Sequence, residues 1–157
     1  MQQFFDGTFV VVYGDILTDF DLKAMVEYHR RKKAVATLAL VEVSDPSHYG
    51  IVETSADGRV TRFLDNPKPG ITASRLASVA VYVLEKEVLN YIPEKSFCDF
   101  GYDVFPKLLA AGMPVYGYFL SPEDYYVDIG TPEKYQQAIE DVKTGKVGKR
   151  IKDAMRV

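Results

Sequence analysis

The chain alternates continuous runs of apolar strand formers with stretches of helical spacing. Phe9 to Tyr13 is the first run, uninterrupted by polar residues, as in a strand covered on both faces. A helix is expected next. Leu22, Met25, Val26 and His29 fall at i, i+3, i+4 and i+7, with Thr18 or Asp19 placed to cap it. Val35 to Val43 is a second long apolar run. Strand, helix and strand in that order predict a right-handed crossover and parallel pairing.

Between residues 44 and 85 the pattern shortens. Tyr49-Gly50-Ile51-Val52-Glu53 reads as a short strand, Asp57-Gly58 as a hairpin turn, and Val60 to Leu64 as its returning strand. Asp65 to Gly70 is a loop on its Pro and Gly content, and Leu76 to Leu84 is a third core strand. This stretch reads as a mixed excursion built on the sheet. Lys86 to Ile92 can form a short helix that Pro93 stops. Asp103 is placed to cap another, with Pro106 in its first turn and Gly112 at its end. Val115 to Leu120 and Tyr125 to Ile129 are further strands. Thr131 caps a final helix, about 132–143, with Pro132 at its first position. The order predicts one α/β domain over residues 1–157, with a mixed, mainly parallel sheet.

Composition narrows the classes. The 157 residues are 47% hydrophobic, enough for a real core, yet no stretch approaches the roughly 20 apolar residues that span a bilayer. The first residues lack the basic start and long apolar run of a signal peptide. A single cysteine, Cys98, excludes an internal disulfide, so a cytoplasmic setting is expected. With a net charge of −3, nucleic acid is not an expected partner. The basic runs Arg30 to Lys33 and Lys146 to Lys152 read as solvated faces.

Two aspartates carry the candidate chemistry. Val10-Val11-Val12-Tyr13-Gly14-Asp15 and Tyr125-Tyr126-Val127-Asp128-Ile129-Gly130-Thr131-Pro132 each place an Asp beside a strand run and next to a Gly turn. Ligands of α/β sheets bind at the carboxyl ends of strands, and two carboxylates there can hold a divalent metal against phosphates. Each aspartate also has a plain reading: Asp15 as a turn residue, Asp128 as an acceptor of loop amides. The loop bearing Asp65 and Lys68 adds a carboxylate able to grip sugar hydroxyls and a cation able to hold a phosphate. His29 reads as a helix histidine at the core edge or in solvent, His48 as a residue flanking a possible ligand loop, and Cys98 as a structural thiol. Tyr125 and Tyr126 flank the second aspartate.

These motifs, in order, resemble the sugar-1-phosphate nucleotidyltransferases, a family that includes mannose-1-phosphate guanylyltransferases and glucose-1-phosphate thymidylyltransferases. Gly14-Asp15 is similar to the family's Asn-Gly-Asp element. Tyr49 to Glu53 resembles Tyr-Gly-Val-Val-Glu, and Phe63-Leu64-Asp65-Asn66-Pro67 stands where the family has Phe-x-Glu-Lys-Pro. Ser78 to Tyr82 stands where it has Asn-Ala-Gly-Ile-Tyr. Asp103 to Pro106 and Asp128 to Pro132 match Asp-Val-Phe-Pro and Asp-Ile-Gly-Thr-Pro.

The resemblance implies a Rossmann-like α/β/α sandwich. It also implies attack of a sugar 1-phosphate on a nucleoside triphosphate, giving a nucleotide sugar and pyrophosphate. Asp15 and Asp128 would be the catalytic Mg2+ ligands. Gly50, Glu53, Asp65, Asn66, Lys68 and Ser78 would be substrate-binding. Guanylyl transfer to mannose 1-phosphate is the first reading of specificity.

Three departures from the family pattern stand out. The Gly-rich triphosphate loop that should come well before Asp15 is not among these residues. Asn66 stands in place of a lysine that Lys68 would have to replace, and Ala80 in place of a glycine. The isolated chain is therefore expected to be inactive. Its Phe9–Tyr13 edge is expected to pair with a missing N-terminal half or with a second copy in a homodimer. The alternative is a catalytically dead subunit that binds sugar nucleotides.

Overall fold

The longest apolar run becomes the strand that organises the larger sheet. The computed structural model describes residues 5–68 and 70–148. Its strands are β1 (Phe9–Val12), β2 (Ile16–Thr18), β3 (Ala36–Glu42), β4 (Gly50–Thr54), β5 (Val60–Asp65), β6 (Leu76–Leu84), β7 (Val115–Phe119) and β8 (Tyr126–Asp128). The helices are α1 (Leu22–Lys32), α2 (Phe105–Ala110) and α3 (Pro132–Lys143), with a 3-10 turn at Lys86–Tyr91 and a π turn at Phe100–Val104.

β6 lies antiparallel to β3 along one edge. Its other edge is shared: β1 takes Val81 to Leu84, and β4 takes Leu76 and Ala77. β5 closes one end of the sheet as a hairpin with β4, and β7 closes the other, parallel to β3. The sheet is mixed, as expected, but not mainly parallel: β6 and β5 run against β1, β3, β4 and β7, so four of its five ladders are antiparallel. The expected direct parallel pairing of β1 with β3 does not occur, because β6 lies between them; β3 with β7 is the parallel ladder. Four apolar strands do not announce their order. β6 is apolar enough to take the most enclosed position, and it takes it.

Helices cover both faces. α1 packs Met25, together with Phe20 just ahead of its cap, against Ala39, Val79, Val81 and Val83. The opposite face packs Leu38, Leu40, Val52, Tyr82 and Leu84 against Val88, Phe105 and Leu108. Each fully buried large side chain contributes about 1.5–3 kcal/mol. β1 is the exception to the two-faced covering expected of it. Val10 is 38% and Val12 50% exposed, so one face of that strand is open.

Local signals resolve as follows. α1 is capped by Asp21, whose carboxylate accepts the Ala24 N–H at 2.9 Å, not by Thr18 or Asp19. Those two residues belong instead to β2 and its exit, a strand that the spacing did not predict. Asp103 does not cap a helix. Asp99 caps the π turn by accepting from Tyr102 N at 2.8 Å, and Asp103 accepts from Asp99 N at 2.9 Å. Gly58, at φ 84°, turns the β4–β5 hairpin as the Asp-Gly signal predicts. Thr131 and Pro132 start α3 as expected. Pro69 and the run beyond Gly148, including most of the basic stretch Lys146 to Lys152, lie outside the described residues.

His29 is not at the core edge but fully inside it. Its Nδ1 pairs with Thr37 Oγ1 at 2.8 Å and its Nε2 with Glu85 Oε1 at 3.0 Å, and Thr8 also donates to Glu85 at 2.7 Å. The imidazole thus ties α1 to β3 and to the ends of β1 and β6. Replacing His29 with Ala strips the buried Thr37 and the half-buried Glu85 of their partner and leaves a cavity. It is expected to lower stability by roughly 2–4 kcal/mol, read as a lower denaturation midpoint at unchanged m-value.

Candidate active site

The site begins with a two-stranded ribbon. β2 and β8 pair antiparallel, with Ile16 opposite Asp128, and Ile129 N donates to the Asp15 carbonyl at 2.8 Å. Three-residue strands hold weakly alone, so side chains reinforce them. Thr18 Oγ1 donates to the Tyr125 carbonyl at 2.7 Å, and the Asp19 carboxylate accepts from Tyr125 N at 2.9 Å and from Gly148 N at 2.9 Å. The two aspartates picked out from the sequence therefore meet. A Cβ built on Gly130 would lie 2.9 Å from Asp128 Oδ1 and 3.6 Å from Asp15 Oδ2, so both carboxylates approach one point. Asp128 Oδ1 accepts from Gly130 N at 2.7 Å, and Lys134 Nζ lies 3.4 Å from its Oδ2.

A cavity of about 190 Å³ opens beside this pair. It forms where β1 stops and β4 starts along the same edge of β6, with Tyr13 N donating to the Ala80 carbonyl at 3.1 Å across the break. Asp15, Asp128, Gly50, Asp65 and Ser78 all line it, as does His48. Glu53, Asn66 and Lys68 do not. Glu53 turns away to accept from Thr72 Oγ1 at 2.6 Å and lies 3.8 Å from Arg62. The Asn66 amide donates to Asp65 at 3.2 Å from a backbone at φ 41°.

Sequence reasoning missed Tyr13, Tyr82 and Asp99, which complete the wall. Burial first, then the Asp99 carboxylate, hold the Tyr13 hydroxyl above its ordinary pKa. Burial holds Tyr82 far above its own. Both phenols stay protonated donors, facing carboxylates that only accept. Ser78 Oγ is buried beside Tyr82 but not aligned for a full hydrogen bond. The one signal that could have flagged Asp99 is its four-residue spacing from Asp103, which closes the π turn and aims the turn's start at the cavity.

The floor is Phe63. Its ring tip would lie 2.5 Å from a Cβ on Gly50 and 2.9 Å from one on Gly101. Both glycines are thus required by the packing of this aromatic ring, a plainer reason for Gly50 than contact with a ligand. A wider groove of about 570 Å³ adjoins the cavity, between the ends of β3 and β7 and the ribbon, and shares Tyr49, Tyr126 and Asp128 with it.

The ribbon is clasped from behind. Asp141 of α3 is buried and accepts from the Tyr125 hydroxyl at 2.8 Å and from Gln137 at 2.9 Å, with Lys146 Nζ at 3.3 Å. Those partners, Tyr125 first, hold Asp141 below the usual carboxylate range. Burial and then this bond push the Tyr125 phenol up to about 12.

Fold and site together define an α/β sandwich whose acidic cavity sits at a break in its sheet. The nucleotidyl transferase family profile matches residues 1–145, and the chain belongs to that family. UTP–glucose-1-phosphate uridylyltransferase of Synechocystis sp. is 40% identical over 141 residues, covering 88% of this chain and 36% of that protein. Mannose-1-phosphate guanylyltransferase of Mycobacterium tuberculosis is 35% identical over 141 residues, covering 89% and 38%. Among solved structures, HddC from Yersinia pseudotuberculosis superposes with a TM-score of 0.71 at 24% identity, over 90% of this chain and 58% of that one. A candidate glucose-1-phosphate thymidylyltransferase from Bacillus anthracis, solved with sucrose, gives 0.73 at 23% identity, over 87% and 55%. Those two likenesses establish the Rossmann-like fold alone. The chain spans a little over a third of the length of the curated relatives it matches. No helix among the described residues is long and apolar enough to cross a membrane.

Two predictions follow from this geometry. Gly50→Ala drives a methyl into the Phe63 ring and is expected to cost about 1–3 kcal/mol, measured by thermal or urea unfolding. The clasp sets two pH limits. Asp141, depressed in the folded state, adds stability above the ordinary carboxylate pKa and loses it as pH falls through its folded value. Tyr125, raised to about 12, adds stability below its ordinary value near 10, lost as pH rises toward 12. The melting-temperature difference between the unmodified chain and Tyr125→Phe should therefore shrink at both extremes of pH.

Proposed function

We propose that this chain forms the acceptor side of a sugar-1-phosphate nucleotidyltransferase site. The observation that carries the reading is the convergence of Asp15 and Asp128 at the mouth of a cavity lined by Asp65, Ser78, Tyr82 and Asp99. In the reaction a sugar 1-phosphate oxygen attacks the α-phosphorus of a nucleoside triphosphate. One P–O bond forms to the sugar phosphate, the bond to the β-phosphate bridge breaks, and pyrophosphate leaves. The relatives named above differ in their nucleotide, uridylyl or guanylyl, yet both act on a sugar 1-phosphate. An acceptor site in the shared portion is consistent with that, and the base is read elsewhere.

The donor set fits Mg2+. Two hard carboxylate oxygens approach one point and leave most coordination positions for phosphate and water, although the described residues hold no cluster of three or more acidic, His or Cys ligands. Asp15 and Asp128 would hold the ion, which when bound neutralises charge developing on the phosphates. The remaining work falls to the chain itself. Asp65 and Asp99 accept from sugar hydroxyls, while Tyr13, Tyr82 and Ser78 donate. Lys134, held near Asp128, supplies a cation for the sugar phosphate. Lys68 is the second candidate for that role, and Glu53 and Asn66 shape the loop that carries Asp65. We take residues 44–85 as the sugar-side excursion and the cytoplasm, where nucleotide sugars are made, as the setting.

The triphosphate-cradling loop must come from outside these residues, as a further part of a longer chain or a separate one. The edge of β1 away from β6, beside the face on which Val10 and Val12 are exposed, is the place for it or for a second copy. One observation favours the second reading, a binding subunit without activity: Ala80 and Asn66 stand where the resembled family has the glycine and lysine of its acceptor site.

Isothermal titration of Mg2+ with a sugar 1-phosphate should show saturable binding, lost at least tenfold in Asp15→Asn and in Asp128→Asn; unchanged binding in both sinks the metal assignment. The isolated 157-residue chain should release no pyrophosphate from a nucleoside triphosphate and sugar 1-phosphate. In size-exclusion chromatography it should elute larger than a monomer, and a clean monomer at high concentration would refute pairing through β1.

A further inference from the structure

Ala80 holds a φ of 55° inside a strand. The other non-glycine residues with positive φ among the described residues lie at the α1 terminus (Lys33) or in turns (Asn66, Lys95). A methyl-bearing residue is disfavoured in this conformation, and a glycine would adopt it freely. Such an outlier points to function when the surroundings hold it in place. Here they do. The Ala80 carbonyl accepts from Tyr13 N, and β6 slips against β3 at this point, Leu38 facing Tyr82 and Leu40 facing Ser78. The slip gives β6 two more residues than its partner, a bulge that accommodates the unusual φ of Ala80.

Two extra residues leave the alternation of β6 unbroken. Ser78, Ala80 and Tyr82 line the acceptor cavity, whereas Val79, Val81 and Val83 pack beneath α1. The residue that carries the backbone penalty therefore stands in the cavity wall, between a serine and a tyrosine suited to sugar hydroxyls. The cavity is also small, about 190 Å³. We infer that Ala80 sets the size limit of the acceptor: its methyl admits a hexose 1-phosphate with free ring hydroxyls and excludes one bearing an N-acetylamino substituent. The inference rests on the nucleotidyl-transfer reading and adds the selectivity of its acceptor.

The test titrates the 157-residue chain, in Mg2+, with α-D-glucose 1-phosphate, α-D-mannose 1-phosphate and N-acetyl-α-D-glucosamine 1-phosphate, following chemical shifts in the unmodified protein and in Ala80→Gly. The unmodified chain should favour the better hexose phosphate over the acetamido sugar by about tenfold or more. Ala80→Gly should narrow that ratio about tenfold and not lower the melting temperature. An unchanged ratio in Ala80→Gly overturns the inference whatever happens to stability, because relief of backbone strain alone does not move selectivity. Equal binding of all three sugars by the unmodified chain overturns it while leaving the acceptor reading intact. Binding of none of them, by either protein, overturns both.

Discussion

Everything in the candidate site depends on the pairing of β2 with β8. Two carboxylates brought to one point repel each other, and more so where water is partly excluded. They stay there because the backbone holds them: Ile16 opposite Asp128, and Ile129 N on the Asp15 carbonyl. A ladder of three residues is too short to bear that load. Its support comes from polar side chains at the end away from the aspartates, Thr18 and Asp19 on the Tyr125 backbone and Asp141 on the Tyr125 hydroxyl. The acidic pair is thus stabilised by hydrogen bonds several residues away from either aspartate. In the absence of a divalent ion, Lys134 offsets part of the charge on Asp128.

The second constraint is β6. Because it takes β1 and β4 on one edge in succession, the sheet has a break where neither strand continues, and the cavity occupies that break. The bulge on the opposite edge, against β3, falls at the same level. One irregular stretch, Ser78 to Tyr82, therefore both terminates regular pairing and supplies polar lining. The aromatic ring of Phe63 fills the space beneath, and the absence of side chains at Gly50 and Gly101 lets it do so.

Features carried by a few neighbouring residues were legible in the sequence. The Asp-Gly hairpin, the Thr131-Pro132 helix start and the bounds of β6 all appear in the structure as read, whereas the approach of Asp15 to Asp128 depends on the unforeseen β2–β8 pairing. What could not be read was long-range or short in extent. β2 is three residues long, less than two periods of alternation, so its residues passed for a helix lead-in. The insertion of β6 between β1 and β3 leaves no local trace, because a strand covered on both faces looks the same beside either neighbour. Asp99 reaches the cavity only because the segment from Val88 to Phe105 packs on the sheet face that carries Tyr82 and Phe63. Conversely, Glu53 and Asn66 sit in recognisable motifs, yet their side chains are engaged with Thr72, Arg62 and Asp65.

The open edge and the acidic pair are features of one segment. β1 runs directly into Tyr13, Gly14 and Asp15, so the strand with the uncovered face delivers a carboxylate at its carboxyl end. A strand laid parallel on that edge would end beside Asp15, and the loop leaving it would face the point that Asp15 and Asp128 share. In α/β sheets such a loop, opening a helix, is where backbone amides gather around phosphates.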